Sequence, residues 1–203
     1  MRISSTKSSK YWCYLKQQLE LDFSNEEIWK EAFDLFIERI ESRYLDIINH
    51  LEKDGKREGE GFTIVTILCS LIEFLETTRR GINFVNKKPK ELLEFEYGNG
   101  NSKKLFISFL TKQKLFLLSE DEAREFYYNI RCALIHEAQT KGGWRIRVDT
   151  SKLIIKGESG YILNSVILNK KIDQYISLYK KELFSSEKLK LAFIRKFDSI
   201  CEN

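Results

Sequence analysis

From position 24 onward, apolar residues recur every three or four places: Trp29, Phe33, Phe36, Ile40, Tyr44, Ile47 and Leu51. That period marks one face of an amphipathic helix and predicts a single long helix over about 25–53. Ser24 followed by Glu27 reads as the capping box that opens it. Residues 1–22 are more weakly patterned and are expected to be a loosely held lead-in with a short helix near 11–20. The stretch 54–61 holds three glycines and five charges, which predicts an exposed loop. Segment 62–80 is the most apolar, too long for a strand, and ends at Gly81, a good residue to follow a helix. It predicts a central helix buried on most sides. An irregular connection comes next over 81–101, with Lys87-Lys88-Pro89-Lys90, Gly98-Asn99-Gly100 and room for a short helix at 90–96. A third helix is expected over 103–118.

Ser119 with Glu122 forms a second capping box. It opens a helix that should run to about Gln139 and stop at Gly142-Gly143. The period then changes. Segments 144–149, 153–156 and 160–164 read as short strands, with turns at 149–152 and 157–160. Segments 169–184 and 187–200 return to helical spacing. The fold class predicted is mainly α, an antiparallel helical bundle with a small β-meander. One domain is expected over 1–203, with a core at about 24–140, the meander at about 144–164 and C-terminal helices at about 169–200.

Composition fits this reading. The chain has 203 residues, 42% hydrophobic and 32% charged, enough for one domain with a real core and too apolar for disorder. A single proline, Pro89, suits long helices. No apolar stretch reaches the ~18 uncharged residues of a bilayer span; 64–75 is the nearest, and Glu73 and Glu76 interrupt its end. Residues 1–10 are polar with no apolar signal core, so the expected location is the cytoplasm and no membrane partner is expected. Cys13, Cys69, Cys132 and Cys201 are far apart and form no C-x-x-C pair. With only His50 and His136 beside them, they read as isolated core thiols, and no metal or other cofactor is expected. Net charge is +4, unevenly spread: 24–60 carries 11 acidic and 6 basic residues, whereas 61–203 carries 24 basic and 17 acidic ones. The asymmetry permits a polyanionic partner and equally permits an ordinary solvated surface.

One segment carries a chemical signal: Phe126-Tyr127-Tyr128-Asn129-Ile130-Arg131-Cys132-Ala133-Leu134-Ile135-His136-Glu137. It places Arg-x4-His on a helix of a predicted bundle and resembles the signature of the HEPN superfamily. The resemblance implies a small helical bundle that dimerises. It also implies a metal-independent endoribonuclease, in a defence, stress or toxin–antitoxin setting. On that resemblance Arg131 and His136 are the chemical pair, RNA is the substrate, and an antitoxin or regulatory protein is a further partner. Cys132 stands where many members have a polar residue, which keeps open a catalytically silent binding or assembly module. Ala138 stands where members paired with a nucleotidyltransferase antitoxin carry tyrosine.

The residue types suit the chemistry. Cleavage without metal needs a proton acceptor for the 2′-hydroxyl, which then attacks the adjacent phosphate and leaves a 2′,3′-cyclic phosphate. Histidine suits the proton transfer, with an ordinary pKa of ~6.5. Arginine stays charged, and its fork matches the phosphate. On an ideal helix, however, positions five apart lie about 140° apart. Arg131 flanks the expected apolar stripe Ala123, Tyr127, Ile130, Leu134 and Ala138, whereas His136 lies nearly opposite it, close in angle to Asn129. The pair converges if the helix distorts, or if two copies meet across a two-fold axis with Asn129 orienting the imidazole. Each residue also has a plainer reading: His136 as a helix C-terminal residue, Arg131 as an ion-pair partner of Glu137, Glu73 or Glu76, Asn129 as surface. Glu73 and Glu76 are expected to mark the point where their helix emerges into solvent, with burial against a basic partner and a role steering Arg131 as the alternative. Tyr128, Lys141, Trp144, Arg145 and Arg147 are candidate substrate contacts, since basic side chains with an aromatic can follow a phosphodiester and stack a base. The alternative for Trp144 is packing against the bundle, and a plain nucleic-acid-binding protein using this basic region is a third reading.

Overall fold

The computed structural model describes residues 2–54, 59–158 and 160–202. In chain order the helices before the motif region are α1 (Ser9–Leu21), α2 (Glu26–Ile40), α3 (Asp46–Asp54), α4 (Glu60–Arg80) and α5 (Ser102–Lys112). Strands β1 (Asn83–Phe84) and β2 (Glu96–Tyr97) lie between α4 and α5. Helices α6 (Glu120–Phe126) and α7 (Ala133–Glu137) precede β3 (Arg145–Arg147), β4 (Ile154–Gly157) and β5 (Gly160–Asn164), and α8 (Ser165–Ser185) and α9 (Glu187–Glu202) close the chain. The protein is mainly helical, as the periodicity predicts. It divides into two compact units, one of 1–47, 77–100 and 178–203, the other of 48–76 and 101–177.

In the first unit the predicted loose lead-in is a helix built into the core. Trp12, Leu15 and Leu19 of α1 are buried. The Trp12 ring lies 4.9 Å from Phe197 and 6.1 Å from Phe193, which in turn stack on each other at 4.5 Å. Phe36 and Trp29 of α2 complete the cluster, each with its ring against Phe193. The N-cap of α2 is Asn25 rather than Ser24: its side chain accepts from the amides of Glu27 and Ile28 at 3.1 and 3.2 Å. The Ser24 hydroxyl donates to Asp22 instead.

The long helix expected over 25–53 is interrupted by a π-helical turn at Glu41–Leu45. A π turn accommodates one extra residue. The buried face therefore continues from Ile40 at Ile48, while Ile47, placed on the stripe by the sequence, is 47% exposed.

Helix α4 ends where Gly81 predicts, with φ +63. A Cβ at Gly81 would lie 2.5 Å from the Ala192 carbonyl oxygen, so close approach also demands glycine. By length and composition alone α4 could cross a membrane, but Glu73 and Glu76 interrupt it, and 56% of that stretch is buried inside the protein. The connection after it holds a 3-10 turn at Pro89–Glu91 and the parallel pair β1–β2 in place of a helix at 90–96.

The N-terminal segment is tied to α2 by Glu38, which accepts from the hydroxyls of Ser4 at 2.7 Å and Thr6 at 2.8 Å. Those bonds hold its carboxyl below the usual range. A carboxyl whose pKa is lowered by folding stabilises the protein above its unfolded value, and the gain is lost as pH falls through the folded one. Glu38→Gln is therefore expected to lower the melting temperature at pH 7, with the gap to wild type closing as melts are repeated toward pH 3. A gap constant with pH would mean that the charge of Glu38 is irrelevant to these bonds.

In the second unit, Phe106, Phe109, Phe126 and Trp144 are buried aromatic side chains of the core. The three strands do not form a meander. Strand β5 is central, parallel to β3 (Arg145↔Ile162, Arg147↔Asn164) and antiparallel to β4 (Ile154↔Leu163). Alternation predicts strands but not partners, and here glycines decide. A Cβ at Gly160 would sit 2.5 Å from the Gly143 carbonyl, so the start of β5 packs directly on the backbone that precedes β3. Helix α5 ends at Lys112, six residues earlier than expected, and α8 begins at Ser165, earlier than expected, with Asn164 accepting from the Ile167 amide at 2.8 Å.

Candidate functional site

The segment that carries Arg131 and His136 opens as predicted. The Ser119 hydroxyl accepts from the Glu122 amide, and the Glu122 carboxylate accepts from the Ser119 amide and hydroxyl. The helix beyond this box is not uniform. Helix α6 gives way to a π turn at Tyr127–Cys132, which contains Arg131, and the short α7 comes next with His136 as its penultimate residue. Helix α7 ends at Glu137, and Ala138 caps it in the left-handed conformation at φ 52, so the helix stops short of the predicted glycine pair. Gly142 and Gly143, with φ +58 and +73, make the next turn, and it folds back on the π turn. The Lys141 amide donates to the Asn129 carbonyl at 2.9 Å, and a Cβ at Gly142 would lie 2.9 Å from the Asn129 side chain.

Arg131 is held from two sides. Its Nη2 lies 3.3 Å from Glu73 Oε2 on α4 and 3.3 Å from Ser102 Oγ at the start of α5. The Ser102 hydroxyl donates to the same Glu73 oxygen at 2.7 Å, and the Tyr127 ring lies 5.5 Å from the guanidinium. Burial raises the Tyr127 hydroxyl above its ordinary pKa, and the nearby Cys69 thiol is pushed up by complete burial. Glu73 and Glu76 therefore do not mark an emerging helix. Glu73 positions Arg131, and Glu76 is 3% exposed.

Only about a fifth of each partner in the Arg131–Glu73 pair reaches water, 20% and 18% of the side chains. Removing one member of a fully buried pair costs about 3–5 kcal/mol, and exposed pairs are worth under about 1. Glu73→Ala is expected to fall between, at about 2 kcal/mol, with Glu73→Gln milder because it keeps an acceptor. Urea denaturation checks this, and an unchanged midpoint in Glu73→Ala would remove the pair as a positioning device.

His136 is exposed, and its side chain makes no hydrogen bond among the described residues. No hydrogen bond joins it to Arg131. Asn129 does not turn toward it either, because its amide donates to Glu125 one turn earlier at 2.6 Å. Tyr128 is 49% exposed, and its hydroxyl accepts from Lys103 Nζ at 2.7 Å.

The remaining candidate contacts divide. Trp144 is 2% exposed, between Phe126 and Tyr161 with ring centroids 5.9 and 4.9 Å away, so it is a core residue with no face for a base. Lys141 is paired with Glu137, and Arg147 forks onto Asp149 at 2.6 and 2.7 Å. Lys141 draws the Glu137 carboxyl down, and Arg147 does the same to Asp149. Both pairs are solvent-exposed, and exposed pairs are weak enough to be exchanged for a phosphate. Arg145 is exposed on β3.

Sequence reasoning missed two contributors to the site. Ser102 has no distinguishing local pattern, and Lys103 owes its place to the fold that brings it to Tyr128. Among the described residues no group of three or more His, Cys, Asp or Glu is arranged to hold a metal ion. Comparison with family models, with curated proteins and with solved structures finds no match for this chain.

Proposed function

We propose that the protein is a metal-independent endoribonuclease of HEPN type, built on a helical bundle and working as a homodimer, with Arg131 and His136 as its chemical pair. The observation that carries the reading is the state of the two side chains. Arg131 is held by Glu73 and Ser102 in a π turn, and His136, five residues on, is exposed with no hydrogen bond to its side chain among the described residues. π turns are frequent at functional sites. An arginine held in place meets the charge developing on a phosphate without reorganisation. An unencumbered imidazole is available for proton transfer. His136 takes the 2′-hydroxyl proton, the oxygen attacks the adjacent phosphorus, and the bond to the 5′-oxygen breaks; that oxygen takes a proton from water and leaves as a 5′-hydroxyl, and a 2′,3′-cyclic phosphate remains.

The two residues do not touch within one chain, so the dimer is what supplies a shared cleft, with the histidine of one copy facing the arginine of the other. A defence, stress or toxin role with an antitoxin or regulatory partner belongs to the same proposal. The Arg131–Glu73 ion pair also favours a second reading, a catalytically silent assembly module in which Arg131 is structural.

The test is incubation of the purified protein with single-stranded RNA in excess EDTA, beside His136→Ala, with analysis of the ends produced. Cyclic phosphate ends from wild type alone support the enzyme. Absence of cleavage by both favours the assembly module.

A further inference from the structure

Helices α5 and α6 border an open groove of about 500 Å³ within the second unit. Its lining includes Lys103, Lys104, Lys112 and Arg124, against Glu120 as its carboxylate. Arg124 is paired with Glu120 at 2.9 Å. Lys104 and Lys112 are exposed and have no carboxylate or hydrogen-bond partner among the described residues. They stand eight residues apart on α5, about 12 Å along the helix at 1.5 Å per residue, so the uncompensated charge forms a track rather than a point.

One end of the groove reaches the surroundings of Arg131. Lys103 Nζ lies 4.6 Å from the Tyr128 ring centroid and donates to the Tyr128 hydroxyl. Ser102, its neighbour in sequence, bonds Arg131. Tyr128 and Arg131 therefore both meet the N-terminal end of α5, where the cationic track also ends.

We propose that this groove binds the backbone of single-stranded RNA and leads it to Arg131, with Tyr128 as the stacking plane for one base beside the reacting phosphate. This rests on the ribonuclease reading and names its substrate path. A cationic groove that ends on an aromatic plane is the arrangement that holds single strands, since every base has a face to stack and a duplex keeps its faces covered. The floor of the groove includes Ile107 and Thr111, which offer no carboxylate to repel a phosphate. Surface association of this kind releases counterions, so affinity should fall linearly with salt on a log–log plot, with a slope of about 0.7 per phosphate neutralised.

The experiment uses the full chain and a fluorescein-labelled, 2′-O-methylated single strand of mixed sequence. It has no nucleophilic 2′-hydroxyl, so binding is read independently of cleavage. Fluorescence anisotropy is measured across a salt series for wild type, Lys104→Ala/Lys112→Ala and Tyr128→Ala, with melting curves to show that each is folded. The double variant is expected to bind at least tenfold more weakly at low salt, with the slope reduced by about 1.4. Tyr128→Ala is expected to lose about tenfold with its slope unchanged. A double variant that keeps wild-type affinity and slope overturns the groove, as does a wild type that binds no single strand. Equal affinity for a duplex of the same sequence overturns the single-strand assignment. Cleavage of natural RNA with slopes unaffected by the lysines leaves the ribonuclease standing and removes the groove. Binding lost in the double variant, with natural RNA never cleaved, keeps the groove and removes the ribonuclease.

Discussion

Truncating Trp12 to alanine is expected to destabilise the protein by about 3–5 kcal/mol, the usual cost of removing a large aromatic from a packed core. The ring is 1% exposed. It packs on Phe193 and Phe197, and its indole nitrogen donates to Asp198 Oδ1 at 2.9 Å. Alanine leaves a void beside two stacked phenylalanines that cannot close it without leaving Phe36. Asp198 retains Lys16 at 2.9 Å, so the loss is mostly one of packing. Trp12→Phe keeps most of the apolar volume and should cost about 1–2 kcal/mol, part of it the lost hydrogen bond. Urea denaturation followed by circular dichroism reads both. A midpoint unchanged in Trp12→Ala would return residues 1–22 to the loosely held segment that their sequence pattern suggests.

Under the ribonuclease reading, His136→Ala is expected to reduce RNA cleavage by about 10²–10⁴-fold, the range a positioned acid or base contributes. The same substitution should leave stability within about 0.5 kcal/mol, because the side chain is exposed and makes no hydrogen bond among the described residues. That separation makes His136 a cleaner probe than Arg131, whose removal also strands Glu73. Arg131→Lys keeps the charge but loses the planar fork, so the enzyme reading expects weak cleavage from a folded protein. Mixing inactive His136→Ala with inactive Arg131→Ala should restore part of the activity if each site takes one residue from each copy. Full activity in His136→Ala would end the proposal, whatever the behaviour of Arg131.

Some of the fold is legible because it depends on residues close in sequence. The Ser119–Glu122 box forms between its own members, and Gly81 ends α4 because the turn requires a positive φ. Other local signals competed. Ser24 and Asn25 both suit an N-cap, and Asp22 draws the serine away. The two π turns are invisible to a three-or-four spacing, because that rule assumes α geometry throughout. An extra residue in the turn moves burial from Ile47 to Ile48, and in the second case it places Arg131 outside regular α geometry. The stripe on the motif segment is accordingly wider than expected, adding Phe126 and Ala133 and losing Ala138 to the surface. Trp144 could be read as a stacking platform or as core, and only its neighbours Phe126 and Tyr161 decide.

The sequence by itself determined the mainly helical class, the helix starting after Ser119 and the end of α4. Each of these comes from spacing or from a backbone preference that acts over a few residues. Tertiary structure alone decided that α1 belongs to the core, that β5 rather than β4 is central, that Glu73 and Ser102 hold Arg131, and that Lys103 meets Tyr128. Those outcomes join residues as far apart as 58 positions, from Glu73 to Arg131, and 186, from Trp12 to Asp198. Side chains so distant in sequence are paired by which faces bury together and which polar groups then need a partner, and no local period records that choice.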